Sequence, residues 1–173
     1  MTTVAISGMG ESEVLLGASD EVVASAIAWF DPRGREQVRT MPAGLRAVFA
    51  ARTGLPLGAQ VSVIKMLALR DSGVPLRELR WFNLPEFVAH SLGAQAVSEY
   101  SLASRTSLLD QDDGAPWTEM LNHLGVDSDF LPPLVDAGTV LGPVTAVWVP
   151  ARFHDARVTV AGHDHLVSAV SGT

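Results

Sequence analysis

The stretch ARVTVAGHDHLVSAVSG (156–172) changes character at its centre. Residues 156–162 alternate polar and apolar side chains as a strand does, Gly162 breaks the pattern, and the small and apolar residues after Asp164 read as a helix. A strand handing over to a helix in this way is the joint of an α/β sheet. It places the Asp164 carboxylate at a strand's carboxyl end, where ligand crevices form in such sheets.

Working outward, TVAIS (3–7) reads as a buried strand entering a glycine turn. With EVLLG (13–17) and VVASAIAWF (22–30) it suggests a strand meander. The spacing of Val38, Met41, Leu45, Val48 and Phe49 predicts a helix over 35–52, with Pro42 as a kink, and a second helix is expected over 60–70. Residues 78–93 read as a short strand to Phe82, a turn at Asn83 and a helix with Pro85 in its first turn that stops at Gly93. Residues 96–110 show no clean period, 115–125 form a compact amphipathic helix, and 130–145 form a proline- and glycine-rich loop around short extended pieces. Interleaved strands and helices make the class α/β, and 173 residues suffice for one domain.

Composition narrows the function. A net charge of -7, with one lysine (Lys65) among twelve basic residues, supplies no basic patch for nucleic acid or an anionic membrane. The absence of cysteine excludes disulfides and thiolate metal sites. No apolar run reaches the ~20 residues that a membrane span needs, and no leader peptide is apparent, so a cytoplasmic location is expected.

Four places could carry chemistry. In SGMGES (7–12), glycines deliver Glu11 from a loop, where a carboxylate can accept from hydroxyls; without a following Lys-Ser/Thr pair this is not a phosphate loop. In AWFDPRG (28–34), Trp29 offers a flat face for a sugar, and Asp31 and Arg33 can hold hydroxyls or each other; equally, Trp29 can be core and the pair a local salt bridge. Tyr100, the only tyrosine, lies among hydroxyl residues and suits a polar ligand or a half-buried site equally. Asp164 can be a general base or a helix cap. A metal reading would recruit His163, Asp164 and His165, with His154 and Asp155, but the histidines share a face only in a strand and diverge in a helix, so no metal is expected.

In order, AISGMGESEVLL, AIAWFDPRG, SEYSLASRTSLLD, WTEMLNHLGV, LPPLVDAGTVLGPVT and VTVAGHDHLVSAVSG resemble the amino-terminal domain of FGGY-family carbohydrate kinases across nearly the whole chain. The resemblance implies an actin-like, ribonuclease-H-like α/β domain. It further implies one half of an enzyme that moves the γ-phosphate of ATP, with Mg²⁺, onto a sugar or polyol hydroxyl. On the matching positions it implies Asp164 as catalytic base and Glu11, Trp29 and Tyr100 as substrate contacts; His163 and His165 flank the base, and His163 is expected to touch the substrate as well. The family's Asp-x-Gly-Thr-Thr phosphate hairpin and its second domain have no counterpart in these residues, so the chain is expected to be a partial domain, inactive alone and without tight ATP or Mg²⁺ binding. An exposed sheet edge and self-association follow from the same expectation. Gly10 stands where well-known subfamilies carry arginine or methionine, and 146–156 replaces a usual alanine-rich helix and Gly-Leu turn, which leaves the sugar or polyol open. The alternative is a non-catalytic sugar-binding or interaction domain derived from such a kinase.

Overall fold

The computed structural model describes residues 2–171. Its strands are β1 (Thr3–Gly8), β2 (Glu13–Leu16), β3 (Val22–Ala24), β4 (Arg80–Asn83), β5 (Ser98–Glu99), β6 (Leu134–Val135), β7 (Val140–Pro143) and β8 (Arg157–His163). Its α-helices are α1 (Arg35–Thr40), α2 (Ala43–Thr53), α3 (Ser62–Asp71), α4 (Leu84–Ser91), α5 (Tyr100–Ala103), α6 (Thr118–Leu124) and α7 (Asp164–Ser171).

The first three strands are not one meander. β2 and β3 do form an antiparallel hairpin, and β4 joins it on the other side of β2. β1 instead crosses almost the whole sequence to pair in parallel with β8, whose other edge takes β7 antiparallel. The apolar side chains of TVAIS read as a buried strand. With β8 as its only strand partner among the described residues, β1 alternates between exposed and half-buried residues, while β8, central in its sheet, buries Val158, Thr159 and Val160.

Two further expectations change for local reasons. Strand β3 ends at Ala24 rather than Phe30, because a bulge opposite Leu15 and Leu16 turns the chain off the sheet and carries Ile27 into the core. The helix expected over 35–52 is broken into α1 and α2 rather than kinked. Proline drives the residue before it out of the helical region, and Met41 and Pro42 both lie extended, at ψ 134° and 137°.

The larger core packs Phe49, Met66, Leu67, Met120 and Leu121 of the helices against Leu15 and Trp81 of the β2–β4 sheet. A second core joins Ala89 of α4 and Leu102 of α5 to Val158 and Val160 of β8 and Leu141 of β7. Val4 and Ile6 of β1 pack against this second core, so the same packing holds β1 beside β8.

One buried group sets a pH dependence. Glu13 is fully enclosed, and neither carboxylate oxygen has a hydrogen-bond partner among the described residues. Burial raises its pKa to about 8, against the opposing pull of the Lys65 ammonium. The folded chain therefore keeps a proton that the unfolded chain releases. That stabilising contribution is complete below the ordinary value of 4.5 and is lost as pH rises through about 8. Glu13→Gln should flatten this part of the profile, gaining stability over the parent as pH rises. Urea unfolding at about pH 5 and about pH 8 checks it, and parent and variant falling in parallel would refute the assignment.

Candidate functional site

The carboxyl ends of β1 and β8 open onto one cavity of about 380 Å³, lined by Met9, Glu11, Trp29, Gln60, Arg105, His163, Asp164 and His165. Parallel strands place their following loops on the same side of the sheet, which is why the turn after β1 and the start of α7 meet although some 150 residues separate them.

A bulge shapes the β8 side. The register runs Ile6 opposite Val160, then Ser7 opposite Gly162, so Ala161 is left over. Gly162 takes φ +104°, and a Cβ there would lie 2.9 Å from Ser101 Oγ, so the position needs glycine on both counts. His163 follows, its N–H donating to Ser101 Oγ at 2.9 Å. Ser101 Oγ in turn donates to Glu99 Oε2 at 2.5 Å, and the buried Glu99 carboxylate also accepts from the Ser101 and Leu102 N–H groups at the start of α5. Behind it, Glu86 accepts from the Glu99 N–H at 2.7 Å and from the Asn83 N–H at 2.9 Å. Burial raises the Glu86 pKa to about 7, opposed by these donated hydrogen bonds. A chain of polar contacts thus anchors the strand end to two helix starts.

Asp164 opens α7 with its side chain 41% exposed. Its Oδ1 lies 3.0 Å from His163 Nδ1 and accepts from the His165 N–H at 2.8 Å, while Oδ2 has no hydrogen bond among the described residues. One oxygen is held and the other is free to take a proton. A helix running through this stretch would make the two histidines diverge. They converge instead, with ring centroids 5.0 Å apart and one ligand atom from each of His163, Asp164 and His165 within 4.8 Å of the others, because His163 ends the strand and His165 sits one step into the helix. His154 and Asp155 are not part of that group.

Glu11 sits at the tip of the β1–β2 turn with φ +56°, a left-handed conformation unusual for a residue other than glycine or asparagine. Arg105, in the 3₁₀ turn after α5, donates from Nε to Glu11 Oε1 at 2.6 Å and forms an ion pair with it. Trp29 is half exposed on the cavity wall, its ring edge-on to Phe30, so it is not core. Asp31 and Arg33 pair with each other, a contact that holds the Asp31 carboxyl down at about 2. Tyr100 is not brought into the cavity: it is the first residue of α5, and its ring lies against Gly114. Arg105, Gln60 and Ser101 were not singled out from sequence. Arg105 lies in the ASRT block, but only the fold shows that it meets Glu11 across 94 positions.

A family model described as the FGGY family of carbohydrate kinases, N-terminal domain, matches residues 1–171. The chain belongs to this family. It is 27% identical over 164 residues to a rhamnulokinase of Ligilactobacillus salivarius, covering 92% of this chain and 33% of that protein. It is 32% identical over 149 residues to a glycerol kinase of Trichlorobacter lovleyi, covering 81% and 29%. The gluconate kinase of Lactobacillus acidophilus superposes with a TM-score of 0.85 at 20% identity, over 97% of this chain and 35% of that one. The chain thus spans about a third of the length of the curated relatives it matches. Its architecture is the actin-like, ribonuclease-H-like α/β fold of FGGY kinases, and no helix among the described residues is long and apolar enough to cross a membrane.

The lining residues of this FGGY domain do not fit a nucleotide triphosphate. The one guanidinium on the cavity wall is engaged by Glu11, and Glu11 and Asp164 would both repel phosphate. Two imidazoles and one carboxylate also make a poor donor set for Mg²⁺, a hard cation that prefers oxygen. Hydroxyls suit this wall better, since it offers carboxylate acceptors, guanidinium donors and an indole face.

The anchor at Ser101 is testable. Ser101→Ala strands the His163 N–H and should cost about 1–3 kcal/mol in urea unfolding, with faster hydrogen exchange at that amide. An unchanged exchange rate at His163 would show that the contact does not hold the strand end.

Proposed function

We propose that this chain forms the acceptor side of an ATP-dependent carbohydrate kinase that phosphorylates a hydroxyl of a sugar or polyol. The observation that carries the reading is the meeting of Asp164, Glu11 and Trp29 in one cavity at the carboxyl ends of β1 and β8. The names of the rhamnulokinase and glycerol kinase relatives support the same class of acceptor.

In this reading the acceptor's apolar face lies on Trp29 and its hydroxyls reach Glu11. The hydroxyl to be phosphorylated sits against Asp164 Oδ2, which takes its proton as oxygen attacks phosphorus. The His165 N–H donates to Oδ1, beside which the His163 ring lies, so the carboxylate presents its free oxygen in one orientation. The phosphoryl donor, ATP with Mg²⁺, would supply the transferred group and the charge neutralisation of the phosphates. Nothing lining this cavity would hold them, and the 173-residue chain by itself is expected to bind ATP weakly and to show no phosphoryl transfer.

Asp164→Asn in the full-length kinase should lower turnover by roughly 10²–10⁴-fold, the usual worth of a positioned base, and leave the far-ultraviolet circular dichroism spectrum unchanged. A coupled ADP-release assay on sugars and polyols measures it. Turnover that survives the substitution would remove Asp164 from the role of base.

A further inference from the structure

Gly10 has no side chain, and the space a Cβ would fill lies 2.8 Å from Arg105 Cβ and 3.0 Å from its Cγ. Any larger residue at position 10 would have to displace the arginine. The stem of Arg105 therefore lies across the backbone of residue 10, and this carries its guanidinium onto Glu11.

Two details of the contact matter. Both guanidinium nitrogens that reach the carboxylate, Nε and the Nη2 amino group, meet the same oxygen, Oε1. Glu11 Oε2 and Arg105 Nη1 carry no hydrogen bond among the described residues, on side chains that line the cavity. The backbone of Glu11 is also held left-handed, a cost that persists only where surrounding contacts fix it.

We infer that Arg105 is a specificity-determining residue which, with Glu11, selects a neutral acceptor carrying adjacent hydroxyls and rejects sugar acids; this rests on the acceptor-side reading proposed above. A hydroxyl both donates and accepts. One hydroxyl of a vicinal pair donates to Glu11 Oε2 while its neighbour accepts from Arg105 Nη1, and each leaves the other groups of the wall satisfied. A carboxylate in the same place meets a guanidinium whose charge Glu11 already offsets, and faces the further negative charge of Asp164 across a small cavity. The site therefore favours neutral acceptors over an acid such as gluconate, although a gluconate kinase shares the fold.

The full-length kinase can be tested with glycerol, rhamnulose, xylulose and gluconate, both in the coupled assay and by calorimetric binding. At least one neutral probe should be bound and phosphorylated, with kcat/KM for gluconate lower by about 100-fold or more. Arg105→Met should raise KM for that neutral acceptor about 10-fold or more while kcat changes little. Arg105→Lys should recover part of the loss, and Gly10→Arg, which displaces Arg105, should reproduce it. Circular dichroism confirms that the variants fold. Gluconate as the preferred acceptor would overturn the neutral class, and an unchanged KM in folded Arg105→Met would overturn the role of Arg105. Either result leaves the kinase reading standing, whereas neither binding nor turnover with any probe overturns both.

Discussion

The parallel pairing of β1 with β8 is the constraint on which the site depends. It alone brings the turn that carries Glu11 beside the helix start that carries Asp164. The slip in its register, with Ala161 left unopposed, sets how far β8 extends before His163. A different register would turn successive side chains to opposite faces and take His163 away from the cavity wall. The glycine at 162 is the local expression of the same constraint, since only a residue without Cβ tolerates both its φ and the nearby Ser101.

Behind this pairing the chain buries an acidic network rather than a purely apolar one. Glu86 and Glu99 are both enclosed, and their oxygens accept from backbone N–H groups at the starts of α4 and α5. Such groups are costly unless satisfied, and satisfied they fix geometry more sharply than methyl groups can. Here they hold the two helices to the strand end that leads to Asp164. Glu13 differs, being enclosed with neither oxygen hydrogen-bonded among the described residues, and so contributes a pH dependence and not an anchor.

Much of the framework was legible in the residues themselves. The period-two pattern of 156–162 and the glycine before Asp164 mark β8 and α7 because a buried central strand and a helix start have local signatures. The glycines at 8 and 10 mark the turn that lifts Glu11, and the FGGY blocks ordered these pieces into one fold. What was not legible depends on distant partners. That β1 would join β8 and not β2 cannot be read from TVAIS. Arg105 looks like any surface arginine until Gly10 and Glu11 are placed beside it. Tyr100 was a candidate on residue type and neighbourhood, and the start of α5 turns its ring toward Gly114 instead. Glu99 and Ser101 lay in a stretch without period, which is what a two-residue strand followed by a single helical turn looks like in one dimension.

The β1–β8 pairing also bears on how the chain is made. β1 is synthesised about 150 residues before β8, so the edge that β8 covers stays unpaired while the residues between them are translated. Contacts of such sequence separation raise contact order and slow folding. Until β8 arrives, Thr3–Gly8 is a short β-branched and apolar strand with an open edge, the kind of segment that chaperones shield and that pairs wrongly with other nascent chains.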